Sequence, residues 1–263
     1  MTTKSSDIFA ELEQWYARRN GEYVLDSIRR YLDSRLDTAF GYHILQLGIT
    51  RQHPLFGSCN INHRVYASEQ TGKAVGLVAN VDELPLASDS IDVLIAHHSL
   101  EFDENPHQAL REMHRVLAPQ GHLIVVGFNP YSAFGGAAYL KGLSSTSPWR
   151  HHNPVNTARV ADWLNLLGCE VRNTTYLYSI PPLGNGKIRD LMINCDRWFN
   201  GHNLPLGGLY VMHAVKQVPR LIRPRRRLLP ARERLIGLSV AKPTAAQYPA
   251  PTIHKIRHGE GKS

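Results

Sequence analysis

His97 and His98, adjacent imidazoles at the end of a short apolar run, are the side chains best suited to exchange a proton near neutral pH. A second pair, His151-His152, repeats the arrangement farther along. Neighbouring side chains diverge on a strand or a helix, so neither pair makes a metal site by itself, and no metal is expected. Cys59, Cys169 and Cys195 are odd in number and lack C-x-x-C spacing, which suggests neither a disulfide framework nor zinc. The remaining candidates stand just past apolar runs: Gln46, Leu47 and Gly48 close the first run, Glu69 follows the second, and Asn80 and Val81 follow the third. Such places matter because open parallel sheets bind ligands outside the carboxyl ends of their strands.

The elements that hold these residues follow from periodicity and punctuation. Residues 7–36 carry apolar side chains at helical spacing, predicting two helices broken near Asn20-Gly21. Strands are expected at His43–Gly48, Arg64–Ser68, Val75–Ala79, Ile91–Ala96 and His122–Phe128, with Glu170–Tyr178 and Leu209–Lys216 as a late pair. Asn105 caps a helix with Pro106 at its first position, and the Pro119-Gln120-Gly121 turn ends that helix. Asn156 or Thr157 caps another, closed by Gly168. Strands alternating with helices imply a doubly wound, mostly parallel α/β sheet with a mixed edge.

Charge divides the 263-residue chain unevenly. Residues 1–215 carry 18 Lys and Arg against 20 Asp and Glu, whereas residues 216–263 carry 12 against 2. Three segments are therefore expected: helices over 1–40 packing on a core over 41–218, and a largely unstructured basic tail over 219–263. The tail could simply solubilise, or could contact nucleic acid or an anionic membrane surface. The N-terminal stretch has no secretory signal and no later run approaches a membrane span, so a cytoplasmic protein is expected.

Two segments give the order of elements a family resemblance. Asp82-Glu83-Leu84-Pro85-Leu86-Ala87-Ser88-Asp89-Ser90-Ile91-Asp92 resembles the acidic residue, LP turn and D-S-F-D-like lead into strand four of class I S-adenosylmethionine-dependent methyltransferases. Farther on, Arg115-Val116-Leu117-Ala118-Pro119-Gln120-Gly121-His122-Leu123 is similar to their R-V-L-K-P-G-G-x-L. The resemblance spans Ile44 to Phe128 and implies a seven-stranded, Rossmann-like sheet, S-adenosylmethionine as cofactor and transfer of its methyl group. These pieces are scaffold, so they identify the fold and leave the chemistry to the site.

By that resemblance Gln46, Leu47, Gly48, Glu69, Asn80, Val81 and His97 are the cofactor-binding candidates. Several depart from the family pattern. The glycine-rich loop after strand one normally reads E/D-x-G-x-G-x-G, but here Gln46-Leu47-Gly48-Ile49-Thr50 keeps one glycine and replaces the carboxylate by a neutral amide. Glu69 matches the acidic residue that grips both ribose hydroxyls, its alternative being an ordinary solvated turn residue. Asn80 stands where an acidic residue approaches the adenine amino group, with Val81 offering its backbone. His97 occupies a position whose backbone borders the methyl donor. Only 32 positions separate Gly48 from Asn80, so a helix there is expected to be shortened or replaced by loop, at the expense of positive helix-terminus potential.

Asn129-Pro130-Tyr131 is similar to the N-P-P-Y motif of base amino methyltransferases but follows strand five rather than strand four, so it does not announce base methylation. Either Asn129 starts a turn with Tyr131 packed, or Tyr131, Phe134 and Trp149 line an acceptor pocket. The expected function is methyl transfer to an undefined acceptor, with His97 or His98 as the base if one is needed. The alternative is a catalytically degenerate binding module with weakened or absent cofactor binding, anchored to RNA or a membrane by its tail.

Overall fold

In the computed structural model the described residues are 3–36, 40–48, 54–56, 61–72, 74–143, 149, 152–182 and 185–218. All of them belong to one compact unit, Met1–Pro219. The basic tail expected over 219–263 lies outside the described residues, as does Cys59.

Seven strands form the sheet: β1 (His43–Gly48), β2 (His63–Ser68), β3 (Leu77–Val78), β4 (Ile91–His97), β5 (Leu117–Phe128), β6 (Cys169–Leu177) and β7 (Leu209–Lys216). Their spatial order is β3-β2-β1-β4-β5-β7-β6. The first five run parallel, and β7 is antiparallel to both β5 and β6. The order reverses between β1 and β4, where Gly48 is in register with His97. That reversal fixes where a ligand crevice opens.

Both faces of the sheet are covered, which is why its central strands read as continuous apolar runs. Alternate residues of β1 go to opposite layers: Ile44 packs with α1 (Thr3–Tyr16) and α2 (Arg19–Leu36), while Leu45 and Leu47 face α3 (Pro106–Val116) and α5 (Thr157–Leu166). Leu12, Tyr16, Leu25 and Ile28 carry the first layer, and Leu110, Met113, Val160 and Leu164 the second. Each such side chain contributes about 1.5–3 kcal/mol by leaving water. The N-terminal helices therefore belong to the core.

The boundaries differ from expectation in ways that have local causes. The first two helices break at Ala17-Arg18 rather than Asn20-Gly21, which sit in the first turn of α2. Gly21 serves there as a close approach: a Cβ at that position would lie 2.3 Å from the Trp15 carbonyl oxygen and 2.4 Å from the Tyr16 Cα. β3 keeps two residues, and no helix is found among the described residues between β1 and β3. β5 begins at Leu117, so the Pro119-Gln120-Gly121 turn lies within it as an irregularity, with Gln120 at φ 63°. Asn105 stands at the N-cap of α3 without a side-chain cap bond; its carbonyl instead accepts from the Gln108 and Ala109 amides. Asn156 does cap α5, its side chain accepting from the Arg159 amide at 2.7 Å, and Gly168 follows at φ 84°. Two further helices, α4 (Ala133–Gly142) and α6 (Lys187–Gly201), fill stretches where the sequence pattern shows none.

Candidate active site

A narrow cleft opens at the carboxyl ends of the strands on either side of the reversal. Gly48 from β1, Glu69 after β2, Val81 after β3 and Ser99 after β4 line it, joined by Phe102, Asp103 and, from α1, Phe9. Three of the expected residues, Gly48, Glu69 and Val81, are thus brought together from positions far apart in the chain. The space between the walls is only about 20 Å3. That is close to the room one water needs.

The other expected residues serve the cleft from behind or beside it. Gln46 is fully buried, and its Oε1 accepts from the Leu55 amide at 2.7 Å, tying the chain after β1 back to the strand. Leu47 packs in the opposite layer, its carbonyl accepting from Ser99 Oγ at 3.2 Å and so joining the ends of β1 and β4. Asn80 is exposed and forms a bridge with Glu83. Glycine at position 48 has a local reason: a Cβ would come 3.0 Å from Tyr66 Oη.

His97 and His98 turn toward α1 and meet a buried polar chain. Nε2 of His97 lies 3.2 Å from Tyr16 Oη, which lies 2.5 Å from Nε2 of His98. Nδ1 of His98 is 3.3 Å from Oε2 of Glu101, and Nε2 of His152 is 3.2 Å from the same oxygen. The other Glu101 oxygen accepts from the Phe128 amide. If His98 is neutral, its Nδ1–H donates to Glu101 and Tyr16 must donate to its Nε2, so the bonds run in one direction toward the carboxylate.

Burial strongly opposes the charge on Glu101, yet His98 and His152 outweigh it and hold the carboxyl below its usual range. Tyr16 is pushed far up by burial and by the Glu101 charge, so its phenol stays protonated. His98 adds backbone strain, standing at φ 56° directly after β4. Strained, buried and ion-paired groups concentrate at functional sites.

Aromatic rings close the far side. His98 stacks on Phe128 at 4.1 Å, Phe128 on Phe134 at 5.0 Å, and Phe102 meets His152 at 5.1 Å. Trp149 belongs to this cluster, whereas Tyr131 is 74% exposed. Asn129 starts a turn, its Oδ1 accepting from the Tyr131 amide at 3.1 Å while its Nδ2 donates to the Pro205 and Gly207 carbonyls.

The uncharacterized protein YafS of Escherichia coli (strain K12) is 30% identical over 205 residues, covering 78% of this chain and 81% of that protein. A family described as methyltransferase domain matches residues 39–125, the stretch from the start of β1 into β5. The chain belongs to the class I S-adenosylmethionine-dependent methyltransferase family. Solved structures agree on the fold. A S-adenosylmethionine-dependent methyltransferase of Thermotoga maritima superposes with a TM-score of 0.55 at 19% identity, covering 82% of this chain and all (100%) of that one. The cyclase SpnF gives 0.50 at 16% identity over 73% of this chain and 81% of its own. A cyclase among the neighbours shows why the reaction has to be argued from the site.

Sequence reasoning missed Phe9, Tyr16, Glu101, Asp103 and His152. Tyr16 and Phe9 look like any apolar positions of an amphipathic helix. Glu101 left one trace, a carboxylate between Leu100 and Phe102 immediately after an apolar strand.

Proposed function

We propose that the protein is a S-adenosylmethionine-dependent methyltransferase whose cofactor lies in the cleft at the β1/β4 reversal. The observation that carries this reading is the convergence of Gly48, Glu69, Val81 and Ser99 from four successive strand ends on one crevice. The residues present suit the cofactor: a glycine on the cleft wall that lets the backbone approach a ligand, a half-buried carboxylate able to accept from two ribose hydroxyls, and an apolar wall at Val81. Bound there, S-adenosylmethionine supplies an electrophilic methyl group on a sulfonium.

The chain's own part is mainly positioning. In-line approach of acceptor and methyl group supplies much of the rate. The Tyr16–His98–Glu101–His152 chain holds α1 and the segment around His152 against the strand ends, and its imidazoles can receive a proton from an acceptor that must lose one.

A second reading, a binding module without transfer activity, is favoured by one observation: the Gln46 amide is committed to Leu55 and adds no charge to the cleft. Calorimetric titration of the full chain with S-adenosylmethionine separates the two. Saturable binding supports the enzyme, and no heat up to millimolar concentration sinks it. For the basic tail we retain the proposal of an anionic partner, RNA or a lipid surface; deletion of residues 219–263 should abolish low-salt binding to both while leaving cofactor affinity unchanged.

A further inference from the structure

α6 buries charge and exposes apolar side chains. Arg189 and Asp196 are buried, whereas Ile188, Leu191 and Trp198 are each more than half exposed. A helix packed on a core normally shows the reverse. Ile188, Leu191, Cys195 and Trp198 follow one another at helical spacing, which sets them on one stripe along the outer side. The inward charges hold that stripe in place. Asp196 Oδ2 accepts from Tyr23 Oη at 2.7 Å and from Asn200 Nδ2 at 3.1 Å, and its Oδ1 accepts from the Ile180 amide at 3.0 Å. Arg189 donates to Asn20 Oδ1 at 2.9 Å and to the Arg19 and Pro182 carbonyls. These bonds fix the rotation of α6 about its own axis, so the stripe is kept outward.

Where α6 meets α2 an open groove is lined by Tyr23, Asp26, Arg29, Arg30, Ile193 and Arg197. Three arginines share it with one carboxylate, and Asp26 is already paired with Arg29 at 3.0 Å. Among the described residues neither Arg30 nor Arg197 forms an ion pair. Lys187 and Asp190, both exposed at the start of α6, offset each other. Arg197 precedes Trp198 directly, so the positive groove and the apolar stripe lie side by side on one helix.

Exposed aliphatic side chains, an exposed tryptophan and arginines in one place match the chemistry of an anionic bilayer surface, where hydrocarbon and phosphate lie within about 10 Å of each other. Tryptophan suits that boundary because its ring is apolar and its N–H polar. A second copy docked through the same face would turn the arginines of one protomer toward those of the other, and like charges oppose that contact. We propose that α6 and the arginine groove beside it form the face by which the folded unit seats on an anionic phospholipid surface. Ile188, Leu191 and Trp198 enter the boundary between headgroups and acyl chains, and Arg29, Arg30 and Arg197 meet phosphates.

The inference rests on the lipid arm of the proposal made for the basic tail, and adds a second contact to it. Attraction between charges is reversible and screened by salt, and stable attachment to a membrane takes a second signal, which a buried apolar stripe supplies. The two contacts are separable by experiment. Charge alone leaves a protein among the headgroups, whereas the stripe brings one named ring, Trp198, to the acyl carbons. The same reading accounts for the missing core-facing apolar pattern over Lys187–Gly201: part of the apolar side of this helix is directed away from the core.

The test uses the full chain and vesicles of phosphatidylcholine with or without phosphatidylglycerol, the phosphatidylcholine carrying brominated acyl chains that quench tryptophan on contact. Trp15 and Trp163 are partly buried and Trp149 is buried, so Trp198 is the ring placed to reach lipid. We expect quenching that requires phosphatidylglycerol, that salt reverses and that Trp198→Phe abolishes. Leu191→Ser, at an exposed position, should weaken vesicle binding about tenfold and remove most of the quenching. Arg197→Glu should weaken binding about tenfold at low salt, and both variants should keep the parent's thermal midpoint. Vesicle binding without quenching, unchanged in Leu191→Ser, would overturn this inference and leave the tail contact standing. No binding to phosphatidylglycerol vesicles would overturn both. A dimer in sedimentation equilibrium that Leu191→Ser dissociates would assign the stripe to a second copy and overturn the lipid face.

Discussion

The phenol oxygen of Tyr16 stands 2.5 Å from Nε2 of His98, joining the last turn of α1 to the residue that leaves β4 in a left-handed conformation. Eighty-two positions separate the two in sequence, and both are buried completely. α1 is thereby fastened to the strand end that borders the cleft.

Replacing this tyrosine tests the fastening. Tyr16→Phe keeps the ring and removes the hydroxyl shared by His97 and His98, which should cost about 1–3 kcal/mol in denaturant unfolding. Hydrogen exchange should rise in α1 more than in β4 or β5. Equal protection in mutant and parent would show that the hydroxyl does not hold the helix.

Two substitutions in the cleft should act in opposite directions. Gly48→Val puts a branched side chain on the wall of the cleft, so cofactor binding should vanish, at a packing cost set by Tyr66 Oη, 3.0 Å from where a Cβ would stand. Phe9→Ala removes a wall residue that is 5% exposed, opening the crevice and speeding S-adenosylmethionine association in stopped flow. The core should lose on the order of 3 kcal/mol in return. Normal affinity in a folded Gly48→Val protein would exclude the site.

Glu101 is the junction of the buried chain, so its loss should be severe. Glu101→Ala leaves His98, His152 and the Phe128 amide facing an empty position and should cost about 3–5 kcal/mol. Glu101→Gln presents an amide NH2 to donors on one side and should also destabilise, by less. Because the folded carboxyl is held below its unfolded value of 4.5, its contribution is present above that pH and is lost as pH falls through the folded value. Both variants should flatten the acid limb of the stability curve; a limb identical to the parent's would refute the assignment.

A second pH effect lies across β5 and β7. Nδ1 of His122 is 2.9 Å from Nε2 of His213, and burial, followed by His122, Arg35 and Arg172, pushes His213 down to about 4. A histidine depressed in the fold stabilises above its unfolded value of 6.5 and loses that contribution as pH falls toward about 4. Over this window the unfolding free energy should drop by on the order of 2 kcal/mol from this residue. His213→Leu should remove most of the decline, measured by urea unfolding at several pH values, and an unaltered slope would count against it.

The sequence by itself determined the strands and the place of the crevice. The run His43–Gly48 is β1 to the residue, and Leu209–Lys216 is β7, because a central strand buried on both faces must be apolar throughout and glycine or polar residues must end it. The cap was legible to within Asn156 or Thr157, of which Asn156 serves, and so was the glycine after α5, since capping is settled within a few residues. Asn105 has the right type for the same role, yet its side chain makes no cap bond and its carbonyl serves α3 instead. Local type permits a cap without compelling it. Tertiary structure alone decided what surrounds the crevice. Whether Gln46 faces a ligand or Leu55 depends on how the chain returns after β1, and whether Asp103 joins Glu69 on the cleft wall depends on two connections from different strands. Tyr16, His98, Glu101 and His152 carry no mutual spacing that marks them as partners. Their hydrogen bonds need atoms placed to within a few tenths of an ångström, and only the packing of α1, β4, β5 and the segment before α5 supplies that precision.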